Sequence, residues 1–271
     1  SYFHSSPKGF EKARKATCGL LEDSYARYVV RQRRVAVSAF LFLSAFGITK
    51  MDVDWMRMLE QLTITQSVRS SQWHDGIDWD VQIWNDRTNF RTQNDVEDRF
   101  PMSEGPVTVW QRLTLDGWEI MWWDLAAKTE WQITANEIDD IEPKTDGRSV
   151  VWKRKEDGIW SLYLQSIDGD SIEPIKLSEY GTVGDVDMKG QRIVWQEWVN
   201  TDWELFFWSE SFGIQQITYN ASPDLSPQLL EDTIIWEGVD EQEGDREIFR
   251  YHILTGVVDR VTDNSQNDGS V

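Results

Sequence analysis

The sequence predicts an all-β chain, a β-propeller of about five four-stranded blades, preceded by an N-terminal helical and apolar leader. Three recurring markers in one register predict it. A Val-Trp pair stands at Val109-Trp110, Val151-Trp152 and Val194-Trp195, with Ile235-Trp236 as a variant, and the tryptophans are 42, 43 and 41 residues apart. Trp73, 37 residues before Trp110, reads as a fifth, shortened instance. A second marker follows each pair: Trp79-Asp80-Val81, Trp118-Glu119-Ile120, Trp160-Ser161-Leu162, Trp203-Glu204-Leu205 and Arg246-Glu247-Ile248. The third marker is T-x-N-x3-D-x2-P. It appears as Thr92, Asn94, Asp98, Pro101, as Thr134, Asn136, Asp140, Pro143, and as Thr218, Asn220, Asp224, Pro227; it begins again at Thr262, Asn264, Asp268. One repeat departs from it, reading GTVGDVD at 181–187.

Taken in order, residues 1–50 form the leader. The run VAVSAFLFLSAFGIT at 35–49 follows the basic RQRR. Its fifteen residues fall short of the roughly 20 that span a bilayer. They suit a signal-peptide core or short anchor, with Ala45-Phe46-Gly47 as a cleavage sequence. The basic flank then stays inside and sends the rest outward, to the periplasm, the cell surface or the medium. The other reading is a buried helix of a soluble protein. Residues 51–64, with Met51, Trp55, Met58, Leu59 and Leu62, read as an amphipathic connector helix. Residues 65–271 are the propeller. Each unit holds four strand-like runs separated by Gly, Asp and Asn, as in DIEPKT, RSVVWK, WSLYLQ and EPIKLS. Large apolar residues lie on both faces of these runs, as blades stacked side by side require. Ring closure is expected from residues 62–72, entering beside the last blade.

Charge divides the chain. Residues 1–50 hold nine Lys/Arg against three Asp/Glu; the remainder holds 18 against 44. A domain this acidic repels nucleic acid and anionic membranes, and suits divalent cations or basic partners. Cys18 is the single cysteine, so no internal disulfide forms, and the repeats carry no thiol, which fits export.

Residues 65–268 resemble the WD40-like repeats of the TolB propeller family, and look closest to Trp-rich cell-surface propellers. The likeness is carried by EPKTDGRSVVW at 142–152, WEIMWWD at 118–124 and QITYN at 216–220. It implies export and a binding or scaffold role.

The recurring Asp98, Asp140, Asp224 and Asp268, with Asp185 and Asp187 in the odd repeat, are the first candidates for chemistry. In a propeller their loops join one blade to the next near the channel mouth. There they either bind calcium, a cation that takes six to eight oxygens, or cap turns within their own blades. Asp80, Glu119, Glu204 and Glu247 also recur. Recurrence points to structure, since a glycosidase pair is placed once. Tyr180 and Trp198 break the repeat and are candidate ligand-facing aromatics for a protein or glycan. Trp73, Trp110, Trp152, Trp195 and Trp236 are structural. Neither a G-x-S-x-G elbow, an H-E-x-x-H helix nor a phosphate loop is present, so no catalytic residue is assigned. Asn220-Ala221-Ser222 is a glycosylation sequon.

Overall fold

The computed structural model describes residues 68–85, 88–125, 127–167, 173–240, 244–264 and 266–269. The leader at 1–50, its apolar run at 35–49 and the connector at 51–64 lie outside the described residues. The chain divides into two compact units, one of Ser1–Gln66 with Asp124–Thr129 and one of Ser67–Trp123 with Glu130–Val271. The second carries the repeats.

All regular structure among the described residues is antiparallel β, in five sheets. The first sheet has β1 (Arg69–His74), β2 (Trp79–Trp84) and β3 (Asn89–Arg91). The second has β4 (Asp98–Glu104), β5 (Val107–Leu113), β6 (Trp118–Asp124) and β7 (Thr129–Gln132). The third has β8 (Asp140–Thr145), β9 (Ser149–Glu156), β10 (Ile159–Ser166) and β11 (Ile175–Lys176). The fourth has β12 (Val183–Met188), β13 (Arg192–Val199), β14 (Asp202–Ser209) and β15 (Gly213–Gln216). The fifth has β16 (Leu225–Leu229), β17 (Thr233–Val239), β18 (Arg246–His252) and β19 (Val257–Arg260). Strands follow chain order in every sheet, and each sheet packs on the next along the chain. No helix among the described residues is long and apolar enough to cross a membrane.

The hairpins are set by local chemistry. Asp157-Gly158 joins β9 to β10 with both φ positive, 50° and 84°, the backbone that matches the strand twist.

Alternation along each strand builds the core. On β13, Trp195 packs toward the third sheet with Val151, Leu162 and Leu164, while Val194 packs toward the fifth with Leu229, Ile234 and Trp236. On β9, Val150 and Trp152 turn to the second sheet, against Val107, Val109 and Ile120. Successive side chains point to opposite faces, so a sheet buried on both sides reads as a continuous apolar run. Trp152, Trp195 and Trp236 stack on their register partners Tyr163, Phe206 and Phe249, at 6.1, 5.7 and 5.8 Å between ring centroids.

Two expectations need correction. Trp73 is not the fifth buried tryptophan. The buried Trp pairs with the third residue after the start of the second marker, as Trp152 does with Tyr163; in the first sheet that residue is Gln82, and Gln82 pairs with Ser71. Trp73 therefore stands two residues further on, opposite Asp80, 43% exposed, with the Arg91 guanidinium 4.3 Å over its ring. Nor do residues 69–72 join the last sheet: they pair with β2 in the first.

A second repeated contact ties sheet to sheet. The residue after each buried-Trp position reaches a bulge in the first strand of the next sheet. Gln72, Gln111 and Gln196 accept the N–H of Phe100, Glu142 and Ser226 through Oε1, at 3.2, 2.8 and 3.0 Å. The three donors, Phe100, Glu142 and Ser226, have φ of 53°, 52° and 53°, and each precedes the Pro of the third marker. The bulge turns that N–H out of the ladder, and the proline after it has no N–H to leave unpaired. In the third sheet Lys153 fills the place, with Nζ 3.4 Å from the Gly184 carbonyl.

Candidate functional site

The recurring polar residues form a hydrogen-bonded cassette wherever the third marker is kept. The threonine closes the outer part. Thr92, Thr134, Thr218 and Thr262 each accept a backbone N–H through Oγ1, from Val81, Ile120, Leu205 and Ile248. Thr92 donates to Asp80 at 3.0 Å and Thr218 to Glu204 at 2.5 Å, and Thr262 donates to Glu247. The asparagine then holds the aspartate: Asn94, Asn136, Asn220 and Asn264 donate to Asp98, Asp140, Asp224 and Asp268, at 2.8, 2.8, 2.8 and 2.6 Å. The aspartate in turn accepts the buried indole, from Trp110, Trp152 and Trp236 at 2.7, 2.9 and 2.6 Å. A buried indole N–H is costly to leave unpaired, and the motif supplies an acceptor for Trp110, Trp152 and Trp236.

The charge on that aspartate is handled in two ways. Asp98 and Asp140 are both fully buried and lie against Arg112 and Arg154, two residues past the Trp, with Nε at 2.7 and 2.8 Å. Burial works against each guanidinium, and the carboxylate bonds outweigh it, so both arginines stay charged. In the fifth sheet Gly238 takes the arginine's place, and a Cβ there would lie 3.0 Å from the Asp224 oxygen. Without a guanidinium, burial pushes the Asp224 carboxyl up to about 6 despite bonds from Asn220 and Trp236. Burial also pushes neighbouring Glu204 up to about 7, with Asp224 and Asp202 adding repulsion.

The fourth sheet is wired differently, at the repeat that breaks the motif. Trp195 donates to Glu197 at 3.0 Å, so the acceptor sits on the strand and not in the loop. The other Glu197 oxygen collects the N–H groups of Glu179, Tyr180 and Gly181 at 3.0, 2.5 and 3.1 Å. This draws the loop over the β13 end: a Cβ on Gly181 would meet the Trp198 carbonyl at 2.3 Å. Tyr180 and Trp198 thereby share one end of the fourth sheet. They are 61% and 39% exposed, and each is backed by another ring, Phe206 at 5.5 Å for Tyr180 and Trp203 at 5.4 Å for Trp198.

The other candidates scatter. Asp98, Asp140, Asp224 and Asp268 sit in separate cassettes, and no hydrogen bond or ion pair among the described residues joins one to another. Asp185 is exposed on β12, while Asp187 accepts the Leu229 N–H at 2.8 Å and so ties the fourth sheet to the fifth. The sequon nitrogen of Asn220 is engaged by Asp224.

One acidic group joins Asp80 of the second marker to two aspartates outside the motifs. In the hairpin between β1 and β2, Asp75, Asp78 and Asp80 present carboxylate oxygens within 4.8 Å of one another. Asp75 Oδ1 accepts the Ile77 and Asp78 N–H groups, at 2.7 and 3.1 Å, which shapes the turn. The signal was available: an Asp immediately precedes the second marker at Asp78, Asp202 and Asp245.

No protein-family description matches this sequence, and no curated protein does. Solved structures do match in fold. TolB from Acinetobacter baumannii is 13% identical, with a TM-score of 0.50 over 87% of this chain and 59% of its own. An oligogalacturonate lyase in complex with manganese is 13% identical, with a TM-score of 0.53 over 74% of this chain and 63% of its own. A Porphyromonas gingivalis dipeptidyl peptidase 4 is 7% identical, with a TM-score of 0.54 over 72% of this chain and 38% of its own. The chain thus has a TolB-like β-propeller fold and spans less than two thirds of each of these proteins.

Proposed function

We propose that this chain is a non-catalytic binding or scaffold module of the cell envelope, working outside the cytoplasm and taking a glycan or protein ligand on the Tyr180–Trp198 face. One observation carries the reading: the repeat that abandons the cassette exposes two aromatics, Tyr180 and Trp198, each backed by another ring. Exposed aromatics with a rigid backing give large contact area at low entropy cost. The carboxylates that recur are committed to Trp, Thr, Asn and Arg, which leaves the odd repeat as the place where sequence serves something besides the fold. Export rests on the apolar run at 35–49 behind RQRR and on the thiol-free repeats.

The test is binding of the full chain to an array of neutral and charged oligosaccharides, repeated with Tyr180→Ala and Trp198→Ala. Saturable binding that falls at least about tenfold in both variants, with unfolding midpoints close to the parent, supports the reading. Binding unmoved by either variant overturns this face. Absence of any glycan binding shifts the ligand to protein.

A hydrolytic reading draws on Glu204 and Asp224, two neighbouring carboxyls pushed up to about 7 and about 6. Both are buried and both recur in sheets where they hold Thr and Trp, so it ranks second. Glycoside turnover abolished by Glu204→Gln in a folded protein would promote it. A third reading makes the chain one module of a larger envelope protein.

A further inference from the structure

We propose that Asp75, Asp78 and Asp80 form a cation site of the calcium class in the hairpin between β1 and β2, separate from the aromatic face and from the motif aspartates. The cluster alone would not carry this; Asp78 does. Its side chain is 5% exposed, and both carboxylate oxygens are shut from solvent and accept no hydrogen bond. The buried motif aspartates Asp98, Asp140 and Asp224, by contrast, each accept an indole and an asparagine donor. A buried carboxylate with none is strongly disfavoured unless something positive meets it. Its oxygens instead face those of Asp75 and Asp80. Two arginines stand in the neighbourhood, Arg91 over Trp73 and Arg99 over Trp79, and neither donates to Asp78.

The donor set selects the ion class. Three carboxylates supply only hard oxygens, and calcium takes six to eight such ligands, whereas magnesium is usually held by one or two carboxylates. The oxygens here lie within 4.8 Å of one another, close enough for one ion to bridge. The three carboxylates have oxygens to give: Asp78 has two, and Asp80 keeps Oδ2 while Oδ1 accepts Thr92. Asp75 is exposed, so the site opens to solvent and water completes the shell. A divalent ion would offset both the burial of Asp78 and its repulsion by Asp75 and Asp80. Asp202 and Asp245, at the equivalent place in the fourth and fifth sheets, also hold buried oxygens without partners, but among the described residues only the first sheet gathers three such ligands.

The experiment uses the full chain, stripped with a chelator and exchanged into cation-free buffer. Calcium is titrated against the thermal unfolding midpoint, and terbium luminescence is excited through the adjacent tryptophans. The expected result is a saturable rise in midpoint by about millimolar calcium, terbium emission displaced by calcium, and a weaker response to magnesium. Asp78→Asn and, independently, Asp75→Asn should each weaken binding at least about tenfold. Asp75 is exposed, so its variant keeps the test sound if Asp78→Asn fails to fold. Asp116→Asn, an exposed acid in the corresponding hairpin of the second sheet, should change nothing. A parent protein with no calcium response, or one equally answered by magnesium, overturns the proposal. A response that survives both Asp75→Asn and Asp78→Asn overturns it as well.

Discussion

Asp140 and Arg154 show what a single residue does in this fold. The carboxylate is fully buried and accepts Trp152, Asn136 and the guanidinium at once. Removing one partner of a buried pair leaves an uncompensated charge, whereas removing both removes the need. Arg154→Met should therefore destabilise by about 3–5 kcal/mol, and adding Asp140→Asn should recover part of that loss. Urea unfolding of the two single variants and the double variant measures the coupling; strict additivity would show that the two side chains act separately. The recurring Asp was legible in the sequence, and so was turn capping as one of its two roles. The indole and guanidinium partners were not. The arginine position recurs only at Arg112 and Arg154 and becomes Glu197 and Gly238 later, so no repeat statistic exposes it. Trp73 misled for a related reason: a tryptophan two residues off register keeps the alternation and hides the slip. Trp195→Ala should cost about 3–5 kcal/mol and Trp73→Ala less than about 1 kcal/mol. Equal losses would restore Trp73 to the core.

At the level of the element, the strands were the most legible feature. DIEPKT, taken from the sequence as one strand, is β8 from Asp140 to Thr145. Apolar runs bounded by Gly, Asp and Asn mark such strands because both faces are buried. The bulge that joins consecutive sheets was written in the Pro of the third marker, but its meaning needs the glutamine some 30 residues upstream, which no local pattern connects to it. Gln196 Oε1 accepts the Ser226 N–H at 3.0 Å, and Ser226 sits at φ 53° with no ladder partner in that direction. Gln196→Ala leaves this N–H unpaired between the fourth and fifth sheets, a loss of about 1–3 kcal/mol. Hydrogen exchange should localise it, with the Ser226 amide losing protection while amides within β9 and β10 keep theirs. Uniform loss of protection would mean that the tie supports the whole molecule and not one junction.

For the whole molecule, the balance of buried acids sets a direction for stability against pH. Glu204 is pushed from 4.5 up to about 7 and Asp224 from 3.8 up to about 6, with burial the main cause in both. Burial likewise raises Asp78, Asp80 and Glu119. The folded state holds these protons more tightly than the unfolded chain, so the stability they contribute is full below about pH 4 and is lost as pH rises through about 7. Asp75 and Asp259 are lowered by hydrogen bonds and work the other way, but their contribution disappears only below about pH 4, outside that window. A formal net charge of −20 adds self-repulsion as the remaining carboxyls ionise. The melting temperature in calcium-free buffer should therefore fall between about pH 5.5 and about pH 7.5, the reverse of a protein held by paired carboxylates. Glu204→Gln keeps an oxygen for Thr218 and removes the buried charge. It should raise stability at about pH 7.5 by about 1–2 kcal/mol, after allowance for solvent screening, and flatten the profile. A melting temperature that climbs over this range would mean that the carboxylates with depressed values dominate and that Glu204 is ionised against its own surroundings; calorimetry of the parent and Glu204→Gln chains at the two pH values separates these cases.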